Sequence, residues 1–210
     1  MRQVYKRTTP PPQLASKGYG DDAVVRALFE DQHGKCYLCE REPGTGFEVE
    51  HLKSQHNFPL LVNDWHNIFY ACSYCNGKKK DNYDDILNPE TDPVERIIKH
   101  EYNPETSKFS FTSSCSSTPV LKTIKLLNLV FNGRMKMRTW REQLFVREFQ
   151  DEFGAFVRSV NDYLKTRAAA ERQQVCRFLA PDQEYLGFKY WFLADRPQLA
   201  AEFSSCFTRR

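Results

Sequence analysis

Two Cys-x-x-Cys pairs, Cys36/Cys39 and Cys72/Cys75, constrain this chain more than any other feature. Four thiolates at that spacing make a tetrahedral zinc site the natural reading, each pair forming one knuckle of a structural metal knot. The loop between the pairs is longer than a plain zinc ribbon needs, and it carries ionisable groups. Glu50 and His51 stand together in FEVEH, Asn67 follows in DWHNI, and Asn76 comes directly after Cys75. A zinc staple around a loop with a carboxylate and an imidazole describes an active site built on a small scaffold.

At 210 residues, 40% hydrophobic and 14% aromatic, the chain can bury a real core as one domain or two small ones. Its net charge of +3 decides little, but the distribution matters. The first twenty residues carry Arg2, Lys6, Arg7 and Lys17 and no acid, and Val120 to Gln150 holds seven Lys/Arg against Glu142 and Glu148. Such stripes suit a polyanion, although solvated helix faces produce similar runs. The N-terminus is basic and then Pro-rich, without an apolar signal segment, and no apolar run approaches membrane-spanning length. Cys115, Cys176 and Cys206 are expected as unpaired, buried thiols. Four metal ligands plus three free thiols fits a reducing compartment, so the expected location is cytoplasmic.

The expected fold is α+β, mainly α-helical. Residues 1–20, with TTPPP and KGYG, form an extended N-terminal arm suited to docking on a partner. Residues 21–110 form the zinc-stapled domain. Within it, Asp21 or Asp22 caps a helix with Val24, Val25, Leu28 and Phe29 on one side and Gly34 as its stop. Phe47 to His51 alternates as a short strand, and Lys99 to Ser117 reads as short strands and a Ser-rich loop. Residues 111–210 form a helical region. Leu121, Ile124, Leu127 and Phe131 mark one helix. Phe145, Phe149, Phe153, Phe156, Val160 and Leu164 mark a longer one, and Ala168 to Leu179 a third. Asp182 and Asp195 offer caps near the end of the chain.

The segment Cys36–Lys80 resembles the HNH, or ββα-metal, endonucleases of the zinc-stapled type. The resemblance rests on CYLC, VEHLKS, WHNI and CSYCNGKKK. The family pattern is a Cys-x-x-Cys, an acid-His at a strand end, a central Asn, then a Cys-x-x-Cys with His or Asn opening a basic helix. The triad here reads His51, Asn67, Asn76, with Asn in the last place, a variant the family uses. A narrower resemblance rests on MRQVYKRTTPPPQL, QHGKCYLCE and the helical C-terminal half. It is to the PtuB-type HNH nucleases of Septu and retron-linked phage-defence systems. That implies a PtuA-type ATPase as partner, with a retron reverse transcriptase and its RNA–DNA as a further one.

The resemblance implies phosphodiester hydrolysis, with a ββα-metal core stapled by Zn²⁺ on Cys36, Cys39, Cys72 and Cys75. His51 is the expected general base, since a neutral imidazole takes a proton from water near neutral pH. Glu50 and Asn76 are the expected ligands of a catalytic Mg²⁺ or Mn²⁺. Glu50 and His51 face opposite sides of a regular strand, so both reach one ion only if the strand ends or twists there. Asn67 is expected to orient His51, and Lys78, Lys79 and Lys80 to hold substrate phosphate. Arg134, Lys136, Arg138 and Arg141 form a second phosphate track. His56 and His66 carry no assigned role. DNA is the default substrate and RNA remains open. The alternatives are a non-catalytic zinc-finger nucleic-acid-binding protein, in which Asn76 marks a decayed site, and an HNH nuclease of a restriction or homing system.

Overall fold

Three prolines delay regular structure until α1 (Gln13–Lys17), and α2 (Asp22–Asp31) then begins at Asp21, whose carboxylate accepts from the Ala23 amide. The computed structural model describes residues 1–134 and 137–207. On α2 the buried stripe is Val24, Ala27 and Leu28, while Phe29, expected inside, is half exposed and edges onto Tyr70. The chain then makes its first cysteine knuckle. There the Glu40 amide donates to the Cys36 carbonyl, and Glu40 itself takes a left-handed conformation, φ 63°.

The hairpin-like pair β1 (Phe47–His51) and β2 (Ile68–Cys72) follows, antiparallel, with Glu48 opposite Ala71, Glu50 opposite Phe69 and His51 opposite Ile68. All of β2 is buried, as its unbroken apolar sequence demands, whereas β1 passes from exposed at Phe47 to buried at His51. Helix α3 (Ser73–Lys79) leaves β2 without a loop, its first turn capped by the Cys72 sulfur accepting from the Cys75 amide at 3.4 Å. Asn76 therefore lies within the helix rather than capping it.

A short α4 (Val94–Ile97) leads into a second antiparallel pair, β3 (Lys99–Asn103) and β4 (Lys108–Thr112). Then come α5 (Thr118–Asn132), α6 (Trp140–Thr166), α7 (Ala169–Arg177), α8 (Leu186–Ala194) and α9 (Pro197–Phe203). Gly133 ends α5 at φ 77°, a conformation that favours glycine. Helix α6 opens with a reciprocal Thr139–Glu142 capping box and runs 27 residues, about 40 Å at 1.5 Å per residue. Its N-terminal half adds Phe145 and Phe149 to the main core. Its C-terminal half adds Phe156, Val160 and Tyr163 to a second apolar cluster with Val175, Leu193 and Phe203. The protein is thus α+β and mainly helical, as expected.

Several expectations are corrected. Cys176 and Cys206 are joined as a disulfide rather than left as free thiols, because α7 and the segment after α9 fold back on the same end of α6. Cys115 is exposed in the Ser-rich loop, not buried. Leu121 and Leu164 sit at the edges of their helical stripes and are partly exposed. Neither Asp182 nor Asp195 caps a helix N-terminus, and Asp195 instead ends α8 as its C-cap. Tyr185, in the left-handed region, precedes α8, and Arg196 precedes α9.

Residues 1–8 lie against the body of the protein. The Met1 side chain is buried and Val4 packs on the main core. The Lys6 ammonium donates to the carbonyls of Trp65 and Ile68, the second at 3.1 Å, and pairs with Glu90 at 3.2 Å. Trp65 Nε1 donates back to the Arg7 carbonyl at 3.0 Å, and Arg7 pairs with Asp31 at 2.9 Å. The main cluster draws on residues on both sides of position 110. Among the described residues no helix is long and apolar enough to cross a membrane.

Candidate functional site

The knuckles bring Cys36, Cys39, Cys72 and Cys75 together, all buried, with their sulfurs within 4.8 Å of one another. The Cys39 and Cys72 sulfurs are 3.8 Å apart. A tetrahedral ion with metal–sulfur bonds of about 2.3 Å has sulfurs about 3.8 Å apart along each edge, so the donor set fits Zn²⁺. Burial pushes the Cys39 and Cys75 thiols up, while hydrogen bonds from the other three sulfurs hold Cys72 down. A divalent cation removes that conflict by binding all four as thiolates. The knot ties the loop before β1 to the β2–α3 junction.

On one face of β1 the strand's period of two aligns Glu48 with Glu50, and α3 packs over both. Helix and strand meet in two rungs. The Asn76 Nδ2 donates to Glu48 Oε2, and the Lys79 Nζ lies 3.0 Å from Glu50 Oε1. The same ammonium donates to the His51 carbonyl at 2.8 Å. Lys79 is fully buried, and the Glu50 side chain is only 10% exposed. Burial pushes the Glu50 carboxyl up and Lys79 pulls it back. Removing one partner of such a pair costs about 3–5 kcal/mol, because a charge is left stranded. Glu48 is exposed at the outer end of the same face.

His51 points to the other side. Its Nε2 lies 2.9 Å from the Val62 carbonyl and its Nδ1 3.1 Å from Gln55 Nε2, with the Tyr19 ring edge-on at 4.7 Å. A carbonyl only accepts, so Nε2 carries the proton. Nδ1 is then a lone pair facing the Gln55 amide. Burial lowers the imidazole's proton affinity below its ordinary value, reinforced by Lys79 and opposed by the Val62 carbonyl. The ring is therefore held neutral in one tautomer with its basic nitrogen toward an exposed side chain.

Asn67, buried, does not touch the His51 ring. Its Oδ1 accepts from the Lys53 amide at 2.8 Å, and its Nδ2 donates to the carbonyls of Lys53 and Leu61 at 3.0 and 3.1 Å. It ties Lys53 to Leu61, beside the Val62 carbonyl that the His51 ring meets. Asp84 holds the same loop through Ser54 and Asn57. His56 is exposed, and His66 bonds Glu90 at 2.8 Å.

Of the three lysines, Lys79 is enclosed, Lys78 pairs with Glu142, and Lys80 is exposed. Arg141 reaches the first turn of α3, donating to Ser73 Oγ at 3.2 Å, whereas Arg138 donates to the Ser107 carbonyl. Arg134 is exposed, and Lys136 lies outside the described residues. A 560 Å³ apolar pocket lined by Tyr102, Phe153, Trp191 and Phe192 shares no residue with this region. Sequence reasoning passed over Glu48, Gln55, Tyr19 and the Val62 carbonyl. Glu48 was open to inference from strand alternation, while Tyr19 arrives from the arm and carries no local signal.

Fold and sulfur cluster together define an α+β protein with a zinc-compatible four-cysteine centre at the base of a strand pair and helix. The chain is similar to the Septu protein PtuB of Bacillus thuringiensis, 34% identical over 93 residues. The match covers 41% of this chain and 36% of that relative, so the chain spans about a third of the relative's length. No protein-family model matches the chain.

Proposed function

We propose that the chain is a metal-dependent endonuclease of the HNH type that hydrolyses nucleic-acid phosphodiester bonds. The observation that carries this reading is the state of His51: neutral, fixed in one tautomer by Val62, with the Nδ1 lone pair, the atom that would take a proton from water, turned toward the exposed Gln55 amide. The order β1, β2, α3 above a four-cysteine knot supports the reading of a ββα-metal core. Gln55 occupies the position from which Nδ1 would meet its water; its side chain is exposed, and it must give up its contacts to Nδ1 and to the Tyr19 hydroxyl to admit one.

The carboxylates of β1 and Asn76 on α3 offer hard oxygen donors that fit Mg²⁺ or Mn²⁺. Such an ion would supply positive charge for the leaving oxygen. His51 takes the proton of the attacking water, Asn67 holds the loop that fixes its ring, and Lys80 and Arg141 bind neighbouring phosphates. Lys78 can join them on release from Glu142. These contacts address backbone rather than base edges, so sequence preference is modest. The similarity to a Septu protein supports a role as the nuclease effector of an anti-phage system, held by a PtuA-type ATPase and, in a retron-linked setting, by a reverse transcriptase with its RNA–DNA.

Zinc-loaded protein with Mg²⁺ or Mn²⁺, offered plasmid, single-stranded DNA and structured RNA with and without the ATPase, tests this. Cleavage is expected from the wild type and lost in His51→Ala. Cleavage that survives His51→Ala removes the imidazole from the reaction. Tight nucleic-acid binding without cleavage under any condition selects the zinc-finger binding reading instead.

A further inference from the structure

We propose that Trp140, at the start of α6, is a stacking platform for an unpaired base of the strand held at the site. The inference rests on the nuclease reading above and adds the kind of nucleic acid the site accepts. Trp140 is 71% exposed, an unusual position for a side chain of its size, and Met137 beside it is 81% exposed. The other two indoles are tied down. Trp65 Nε1 donates to the Arg7 carbonyl, and Trp191 Nε1 to the carbonyls of Glu95 and Ile98. Among the described residues the Trp140 ring has no hydrogen bond and no ring partner, so its faces and its N–H are open to a ligand.

Two observations point to a nucleic-acid strand. The first is charge. Between residues 120 and 150 the only acids are Glu142 and Glu148, and each is already paired, with Lys78 and Arg41. The exposed charges around the indole are basic: Arg134, Arg141 and, two turns along the same face of α6, Arg147. The second is continuity with the site. Arg141 donates to Ser73 Oγ and lies over the Tyr74 ring, both on the first turn of α3. Asn76 and Gly77 follow on the open side of that helix, and a Cβ placed on Gly77 meets no atom within 4 Å. Lys80 comes next, beside the Lys79 that touches the His51 carbonyl. From Ser73 to Lys80 the chain rises about 10 Å, about three steps of a stacked strand at about 3.4 Å each. A strand lying along α3 with one phosphate at His51 therefore brings a base about three nucleotides away to Trp140.

Stacking selects unpaired bases. In a duplex each base face is covered by its neighbours, and only edges and phosphates are presented to a protein. An unpaired base offers its face, and an aromatic ring accepts any of the four bases there. That tolerance agrees with contacts directed at the backbone elsewhere in the site.

The test is binding of fluorescein-labelled oligonucleotides to the full-length, zinc-loaded chain without a partner, in a His51→Ala background so that nothing is cleaved. The probes are an unpaired strand of about twelve nucleotides, as DNA and as RNA, and a hairpin duplex of equal length. Adding Trp140→Ala is expected to weaken binding of an unpaired strand by about fivefold or more and of the duplex by less than about twofold, with the thermal unfolding midpoint unchanged. Trp140→Phe is expected to restore most of the affinity, and Trp140→Leu, apolar but without a ring, to restore none. Unpaired-strand binding that survives Trp140→Ala, or an equal loss on the duplex, overturns the inference and leaves the nuclease reading to the cleavage assay. Unchanged nucleic-acid binding with loss of a co-purifying ATPase assigns the face to a protein and overturns it as well. A folded chain that neither cleaves nor binds any probe overturns both readings.

Discussion

Lys79 stands in a run of three lysines that reads as a solvated helix start, yet it is the one that is wholly enclosed. Its ammonium is matched by Glu50 and the His51 carbonyl. Lys79→Met is therefore expected to destabilise the protein by about 3–5 kcal/mol, measured by urea unfolding, with most of the loss recovered in Glu50→Gln/Lys79→Met. An unchanged midpoint in Lys79→Met would show that the pair contributes nothing. His100 supplies the pH dependence. It is buried, its Nδ1 bonds the Ile98 carbonyl, and burial brings its pKa from 6.5 to about 3, with the Met1 α-amino group adding to the effect. Between those values the unfolded chain binds a proton that the folded chain refuses. Stability is thus complete above pH 6.5 and declines below it, by up to about 1.4 kcal/mol per pH unit. Glu40 extends the decline at lower pH. Burial pushes its carboxyl up, but the α-amino group, Lys35 and His100 draw it from 4.5 down to about 2, so its contribution is lost as pH falls through that range. His100→Asn should flatten the unfolding midpoint between pH 6.5 and 5 relative to wild type.

The strand pair and α3 are too short to persist on their own charges and propensities. Their cohesion comes from the sulfur knot, which joins the loop before β1 to the junction after β2. Cys72→Ser, or zinc removal with a strong chelator, is expected to release one zinc per chain and melt this unit, while α5 to α9 keep most of the helical circular dichroism. Loss of zinc with no change in amide exchange along β1 would refute that dependence. At the other end, the Cys176–Cys206 bond closes a loop of 30 residues between α7 and the turn after α9. By loop-closure entropy such a link contributes up to about 3–4 kcal/mol. Reductant, or Cys176→Ser, should lower the unfolding midpoint of the second cluster while leaving zinc content untouched.

The N-terminal arm was expected as an extended segment that docks on a partner, and its first residues pack on the body of this chain. Lys6 holds the carbonyls of Trp65 and Ile68, and Ile68 is the strand neighbour of His51. Removing residues 1–9 is therefore expected to destabilise the whole chain by more than about 3 kcal/mol and to loosen the site. A truncated chain with wild-type stability would return the arm to a docking role. The long α6 adds a second kind of connection, since its two halves serve two apolar clusters and tie the β3–β4 pair and α5 to the C-terminal helices.

What could be read from residues alone was local chemistry with a fixed spacing. The two Cys-x-x-Cys pairs, the strand through FEVEH, the Asp21 cap and the aromatic stripe of α6 each depend on neighbours within one or two turns, and each is where it was expected. His51, Asn67 and Asn76 were likewise singled out by position in a motif. Pairings across the fold were not legible. A lysine's burial depends on which carboxylate the packing of α3 over β1 sets beside it, so Lys79 met Glu50 and Asn76 met Glu48. The union of Cys176 with Cys206 and the return of Lys6 to the strand end depend equally on distant segments. Side-chain type limits which partners are chemically possible; the three-dimensional path of the backbone selects among them, because burial and charge pairing act through space rather than along the chain.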